Sequence, residues 1–473
     1  MLEASSSDNS KHLNKKLSLV NAWALAFGGV IGWGAFVMPG TTFLKKAGPF
    51  GTLVAMEIGA FVMLVISYAY GYMIKKFPVS GGEFIYAEHT FGKRHGFICA
   101  WFLGLCYINI IPMNATALSL VFRAVAGDLF KFGFMYTIFG YDVYLGETLL
   151  ALGALIIFAL IASCDIKFAG TIQTVMAMIL LVGVIWVSAG SLISPATRTL
   201  DFQPIFFPDD RGILFQIISV AVVAPWAYVG FDTVPQLAEE SNFSHNNVKI
   251  IMDTSIIIGG FVYIALNFIA ISAIPNVYQN WVGYVGDIEN FEGVHSILTF
   301  STAYKTMGER GLLLISLSAL CAMTTGILCF YVATSRLLYS MAREKLLPSW
   351  FGVLNKNNVP ANAVLFCLLL SSLAPFVGRN ALGWTVDMSS LGGAVGFGYT
   401  SLAAYKYSRQ EDRTDITIFG FLGFIFSIMF AILLLVPIKG LNSSLATQSY
   451  VLLVFWVILG AVFFLLEKRK SKF

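Results

Sequence analysis

Twelve apolar runs, near residues 18–43, 51–75, 97–123, 146–163, 168–193, 212–238, 250–274, 311–341, 361–378, 383–406, 416–436 and 447–467, occupy most of this 473-residue chain. A helix needs about twenty apolar residues to cross the hydrocarbon core of a bilayer, and in lipid every backbone N–H and C=O must be satisfied within the protein. A chain patterned in this way has one general solution, an all-α polytopic membrane protein, read here as twelve transmembrane helices. Only 12% of the residues are charged, against about 25% in soluble domains. No hydrophilic stretch is long enough for a second domain. Residues 17–467 are therefore expected to form a single transmembrane domain in the lipid bilayer, flanked by tails at 1–16 and 468–473. The N-terminal tail lacks an apolar core followed by a small-residue cleavage site, so it reads as a tail rather than a signal peptide.

Charge placement gives the expected orientation. Twenty of the thirty Lys and Arg fall in the two tails and in the loops on their side of the membrane. That bias puts both termini in the cytoplasm of a plasma or inner membrane, although Lys45 and Lys46 sit on the other side. The net charge of +4 then reflects orientation and implies no nucleic-acid partner. Five of the six cysteines lie in apolar runs and Cys164 at the end of one, which suits packing rather than a disulfide framework. The five histidines lack metal-ligand spacing and no phosphate-binding loop is present, so the reading is of a non-enzyme with no metal and no cofactor.

The first run contains a contradiction. Gly28 to Gly40 reads GGVIGWGAFVMPG, four glycines in seven positions and then Pro39. Glycine weakens a helix and proline cannot donate its backbone hydrogen bond, yet unpaired backbone is most costly at this depth. The residues leave two readings open. Small side chains can let helices pack closely. Alternatively the helix unwinds, freeing N–H groups at one half-helix start and C=O groups at the other half's end for a ligand's carboxylate and ammonium. The sixth run favours the second reading. Val223 to Ser241 reads VAPWAYVGFDTVPQLAEES, with Pro225, Gly230, Pro235 and the carboxylate of Asp232 inside it. The first and sixth helices correspond between two five-helix halves, and interrupted spans at matching positions point to a transporter's binding site.

Four separated stretches resemble the amino acid–polyamine–organocation (APC) superfamily of permeases. GGVIGWGAFVMPG resembles its first-helix pattern G-[ST]-G, an apolar pair and Pro-Gly. FPVSGGEFIYAEHTFG (Phe77 to Gly92) resembles the loop after its second helix, and WAYVGFDTVPQLAEE (Trp226 to Glu240) its sixth helix. SRLLYSMAREKLLPSWFGVLN (Ser335 to Asn355) resembles the end of its eighth helix. The resemblance covers nearly the whole chain. It implies a 5+5 inverted repeat (about 17–193 and 212–406) with two extra helices (about 416–467). It also implies a substrate held between the broken first and sixth helices, against Val30, Ile31, Gly32, Trp33 and Gly34 on one side and Trp226, Ala227, Tyr228, Val229 and Gly230 on the other. N–H groups near Gly32, Trp33 and Gly34 would hold a carboxylate. Carbonyls near Val30, Trp226, Ala227 and Val229 would face an ammonium, with Trp226 or Tyr228 as a gate. Trp33 replaces the family's hydroxyl residue, which leaves room for an amine without a carboxylate.

Ionisable groups inside the membrane cost at least ~2.5 kcal/mol and read as functional by default. Asp232 is either the proton-coupling site or a cap on the half-helix that follows it. Glu57 either faces a cavity or pairs within the bundle. Asn109 and Asn114 on the third helix either reach the substrate or pack between helices. Asp387 reads as the N-cap of the tenth helix, and Glu239 and Glu240 as solvated charges or gating partners of Arg336 or Arg343. Leu180 aligns with the fifth-helix position where other members hold a lysine or an ion, which disfavours sodium. The function expected is secondary active transport of amino acids or related amines by alternating access, with proton coupling or exchange. A carboxylate-free amine or polyamine carrier, a nutrient receptor on the same fold and a channel are the competing readings.

Overall fold

The computed structural model describes residues 13–197, 202–378, 380–441 and 444–470; most of the N-terminal tail and the last residues of the C-terminal one lie outside that range. The first apolar run forms two helices, α1 (Leu19–Val30) and α2 (Trp33–Met38), followed by a wide turn over Pro39–Phe43. Ser18 caps α1, its hydroxyl accepting from Asn21 N–H. Next come α3 (Leu44–Lys76), the short α4 (Glu83–Phe91) and α5 (Lys93–Ala126). A hairpin of β1 (Phe134–Ile138) and β2 (Tyr141–Tyr144) leads into α6 (Leu145–Ala162) and α7 (Ile166–Ile193). The sixth run gives α8 (Ile213–Ala221), α9 (Ala224–Ala227) and a 3-10 segment, Phe231–Glu240. The chain continues through α10 (Val248–Ile269), α11 (Trp281–Gly286), α12 (Leu298–Arg343), α13 (Ala361–Ser371), α14 (Asn380–Gln410), α15 (Thr414–Leu435) and α16 (Thr447–Lys470).

Among the described residues, nine helical stretches are long and apolar enough to cross a membrane, and Leu19–Val30 and Ala361–Val377 are shorter apolar helices. The chain is thus a polytopic, mostly helical protein. Two long helices bend where glycine permits it. Gly48 in α3 and Gly308 in α12 have φ of +72° and +63°, a region open to glycine but strained for other residues. A Cβ at Gly48 would also meet the Phe206 carbonyl carbon at 2.7 Å. The hairpin departs from the all-α expectation. Its turn, Phe139 and Gly140, has φ of +48° and +80°, the geometry that joins two short twisted strands, and its aromatic residues lie largely exposed.

Packing follows the polarity of the surroundings. Large apolar side chains such as Leu160, Trp186, Phe261 and Phe455 point outward, as a lipid solvent allows. The broken first helix sits inside, against α7, α10, α12 and the Phe231–Glu240 segment. One end of this interior is latched. Arg336 of α12 and Glu240 are both buried and form a bidentate pair at 2.8 and 2.9 Å. Arg343 pairs with Glu239 at 2.8 Å. Leu17 N–H donates to Glu240 O at 2.9 Å and Leu17 O accepts from Asn242 N–H at 3.0 Å, tying the start of α1 to the same place. Glu239 and Glu240 are thus ion-paired rather than solvated.

Removing one partner of a buried ion pair strands the other charge, at about 3–5 kcal/mol. Arg336→Met is expected to lower the thermal midpoint of the detergent-solubilised protein markedly, and Arg336→Met with Glu240→Leu to recover much of the loss. A single variant as stable as the parent would show that the pair is not a structural tie.

Candidate functional site

The site is built where the two interrupted helices meet. Beyond α1, Ile31 (φ −101°, ψ 108°) and Gly32 (φ −119°, ψ −163°) are extended, and α2 restarts at Trp33. Beyond α9 the chain breaks over Tyr228–Gly230 and resumes as the 3-10 segment, with Gly230 at φ +130°. The two breaks touch through backbone. A Cβ on Gly230 would sit 2.4 Å from Gly29 C and 2.5 Å from Val30 N, and one on Gly29 would sit 2.9 Å from Gly230 Cα. Only glycine at both positions permits this approach, which places the residues expected to bind substrate, Val30 to Gly34 and Trp226 to Gly230, side by side.

Their polar groups are partly committed. Trp33 N–H donates to Asn114 Oδ1 at 3.2 Å, so this donor is not open in the structure. Gly32 and Gly34, at the N-cap and second position of α2, have no acceptor within that half-helix. Val30 O accepts from Tyr263 OH at 3.4 Å. Gly230 N–H, which a continuing helix would aim at Trp226 O, turns to Asp232 Oδ1 at 2.8 Å, leaving Trp226 O without its helical donor. The Trp226 ring lies across the break, 6.2 Å from the Trp33 ring, and a Cβ on Gly34 would fall 2.2 Å from Trp226 Cη2. The indole N–H of Trp33 is buried with no hydrogen-bond partner among the described residues. Tyr228 is committed elsewhere: its hydroxyl donates to Met56 O at 2.9 Å, so it ties the α9 break to α3. Ala227 and Val229 are buried.

Asp232 is fully buried, its Oδ2 accepting from Tyr107 OH at 2.7 Å. Both readings of this residue keep a physical basis: it caps Gly230 N–H, and it is a carboxylate at the break. Other expected positions differ in the structure. Glu57 is exposed, as are Ile58 and Phe61 on the same helix, with no ion-pair or hydrogen-bond partner among the described residues, whereas Met56, Gly59 and Ala60 are buried. Asn109 donates to Leu105 O of its own helix at 2.7 Å, and Asn114, five residues further along α5, reaches the break instead. Asp387 lies within α14 and caps a different helix, accepting from Ala446 N–H at 2.9 Å and Ser449 Oγ at 2.7 Å before α16. Leu180 is buried, and the α7 side chains that hydrogen-bond the first helix are Gln173 and Thr174, the latter donating to Asn21 Oδ1 at 2.9 Å. Gln173 Nε2 donates to Ala24 O and Thr325 O at 3.2 Å each, joining α1 to α12.

At the end of the broken helix opposite the latch, a cavity of about 1020 Å³ opens beside Val37, Thr41 and Lys45 and is lined by Arg123, Lys131 and Glu292. One end of the first helix is therefore closed by ion pairs and the other abuts an open basin. Sequence reasoning missed Tyr107, Tyr70, Glu83 and Gln236, buried polar residues packed behind Asp232. The signal available was polar character inside or beside apolar runs, which cannot say which face of a helix a residue takes.

The glycine contact yields a direct test. Gly230→Ala combines a strained φ, about 1–3 kcal/mol, with a backbone collision. It is expected to lower the melting temperature and to abolish ligand-induced thermal shifts, whereas Gly104→Ala, where a Cβ meets nothing, is expected to do neither. Unchanged melting and shifts in Gly230→Ala would contradict the contact.

The sequence model of a family described as amino acid permease matches residues 17–464. The chain is 24% identical to the methylthioribose transporter of Bacillus subtilis (strain 168), over 98% of this chain and 96% of that protein. It is 23% identical to the branched-chain amino acid permease BcaP of Lactococcus lactis subsp. cremoris (strain MG1363), over 86% and 84%. It is also 23% identical to cationic amino acid transporter 8, vacuolar, of Arabidopsis thaliana, over 90% and 69%. These relatives are transporters rather than enzymes, and the match spans both broken helices and the latch. The chain belongs to the amino acid permease family, as its four motifs implied.

Proposed function

We propose that this protein is a secondary carrier of amino acids or related organic amines, working by alternating access around the paired helix breaks. The observation that carries the reading is the backbone contact between Gly29–Val30 and Gly230. It brings a half-helix N-terminus, with its N–H groups, and a half-helix C-terminus, with freed carbonyls, into one place. A carrier must close one end while the other is open. The Arg336–Glu240 and Arg343–Glu239 pairs act as the closed gate on the side of the termini, proposed to be cytoplasmic, and the basin beside Thr41 as the open approach. In this reading the chain crosses the membrane twelve times. Residues 17–193 and 212–406 form inverted halves, each beginning with a broken helix, and 416–467 add two more helices.

Asp232 is proposed as the coupling site, exchanging a proton as substrate binds. Gln173 supports independence from sodium: its uncharged amide already donates to carbonyls of α1 and α12, oxygens that a cation would otherwise need. A carboxylate-free substrate is a second reading, favoured by Asn114 holding Trp33 N–H and by a relative named for methylthioribose.

Reconstituted protein is expected to catalyse counterflow of a radiolabelled amino-acid mixture at a rate unchanged when sodium is replaced by potassium or choline. Strict sodium dependence would contradict the coupling proposed, and absence of counterflow the carrier reading. Asp232→Asn is expected to flatten the pH dependence of uptake without unfolding the protein; an unchanged profile returns Asp232 to its capping role. N-acetylated amino acids are expected to bind at least tenfold more weakly than the free ones, since a lost charged hydrogen bond costs ~1.5–3 kcal/mol. Equal affinity would remove the ammonium site.

A further inference from the structure

Behind Asp232 lies a second buried acid. Glu83 opens α4, the helix between α3 and α5, and its side chain is fully enclosed. Both carboxyl oxygens are occupied: Oε1 accepts from Tyr70 OH at 2.8 Å and Oε2 from Gln236 Nε2 at 2.5 Å. Gln236 lies four residues beyond Asp232 on the same 3-10 segment. The titratable groups that face Glu83 are Tyr70 of α3, Tyr86 of α4, Cys99, Cys106 and Tyr107 of α5, and Asp232 itself. None of them is a cation. The arginines of the neighbouring latch are bound to Glu239 and Glu240.

An ionised carboxylate enclosed without a cation is costly enough that the group takes up a proton instead. The surroundings provide for both charge states. With Glu83 ionised, Tyr70 OH and the Gln236 amide donate to it. Gln236 Oε1 is buried with no partner among the described residues. If the amide turns over, this oxygen accepts the O–H of protonated Glu83. Tyr70 and Tyr107 each lie within electrostatic reach of both acids. On the other side, Ser80 O, three residues before Glu83, accepts from Ser340 Oγ at 2.7 Å, and Ser80 Oγ accepts from Glu239 N–H at 3.4 Å. The turn that carries Glu83 is thus fastened to the latch.

We propose that Glu83 is the second proton-carrying acid of the transport cycle, holding the proton that Asp232 gives up and releasing it at the latched end when the latch opens. This rests on the proton-coupled reading of Asp232. A proton leaving Asp232 forms an O–H bond on a Glu83 carboxylate oxygen. On release that bond breaks, its electron pair stays on the carboxylate, and the proton passes to water reaching the Ser80–Glu239 turn. Fastening that turn to the latch makes opening and release one event.

The test uses full-length protein in liposomes with a radiolabelled amino-acid mixture, measuring counterflow without a gradient and accumulation under a pH gradient. Glu83→Gln preserves the shape of the protonated acid but carries no exchangeable acid proton. It is expected to retain counterflow within about threefold of the parent while gradient-driven accumulation falls to the level without a gradient. Accumulation equal to the parent overturns the assignment. If Glu83→Gln does not assemble, Glu83→Asp keeps an acid at altered reach and is expected to shift the pH midpoint of accumulation, an unmoved midpoint overturning it. A parent protein that accumulates nothing under the gradient overturns the coupling of Asp232, and this assignment with it.

Discussion

Backbone hydrogen bonding governs this molecule, because a bilayer supplies no water to satisfy a free N–H or C=O. A helix can be interrupted at that depth only where protein encloses the gap, and here each interruption encloses the other. Gly29 and Val30 lie against Gly230 at distances that a single Cβ would abolish. Around that contact the freed groups are assigned with care. Asn114 takes Trp33 N–H, Tyr263 takes Val30 O, and Asp232 takes Gly230 N–H. Trp226 O is left without its helical donor and the buried indole N–H of Trp33 without a partner among the described residues, and these are the groups that the proposed site offers to a polar ligand.

The latch answers the same constraint at one end of the interior. Arg336 and Glu240 are buried together, and the geometry is bidentate, which is what makes an enclosed ion pair tolerable. Glu240 and Glu239 end the 3-10 segment that starts at the break, and Arg336 and Arg343 end α12. The break and the ion pairs are therefore joined by ten residues of a single segment. A 3-10 run of that length, with Pro235 inside it, is poorer in hydrogen-bond geometry than an α-helix and suits a hinge.

Sequence made the membrane class and both breaks legible, since apolar length and clustered Gly and Pro report directly on backbone. The bends at Gly48 and Gly308 and the turn at Phe139–Gly140 went unread because their glycines lie at the margins of runs, where periodicity is silent. Side-chain direction was the larger loss. Glu57 and Asp232 look alike in sequence, each an acid in an apolar run, yet one is exposed and the other enclosed. Asn109 and Asn114 are separated by helical phase alone, and Asp387 caps a helix that follows it by some sixty residues. Gln173 could not be placed from its own helix, because its partners, Ala24 and Thr325, belong to distant segments.

The central claim is that ligand binds between the two breaks. A cryo-electron microscopy map of the protein saturated with whichever amino acid or amine raises its melting temperature most tests this directly. Density is expected between Gly32–Gly34 and Trp226–Gly230, with the ligand's cationic end toward Trp226 O. Density confined to the basin beside Thr41 and Lys45, with the space between the breaks unchanged, would contradict the account.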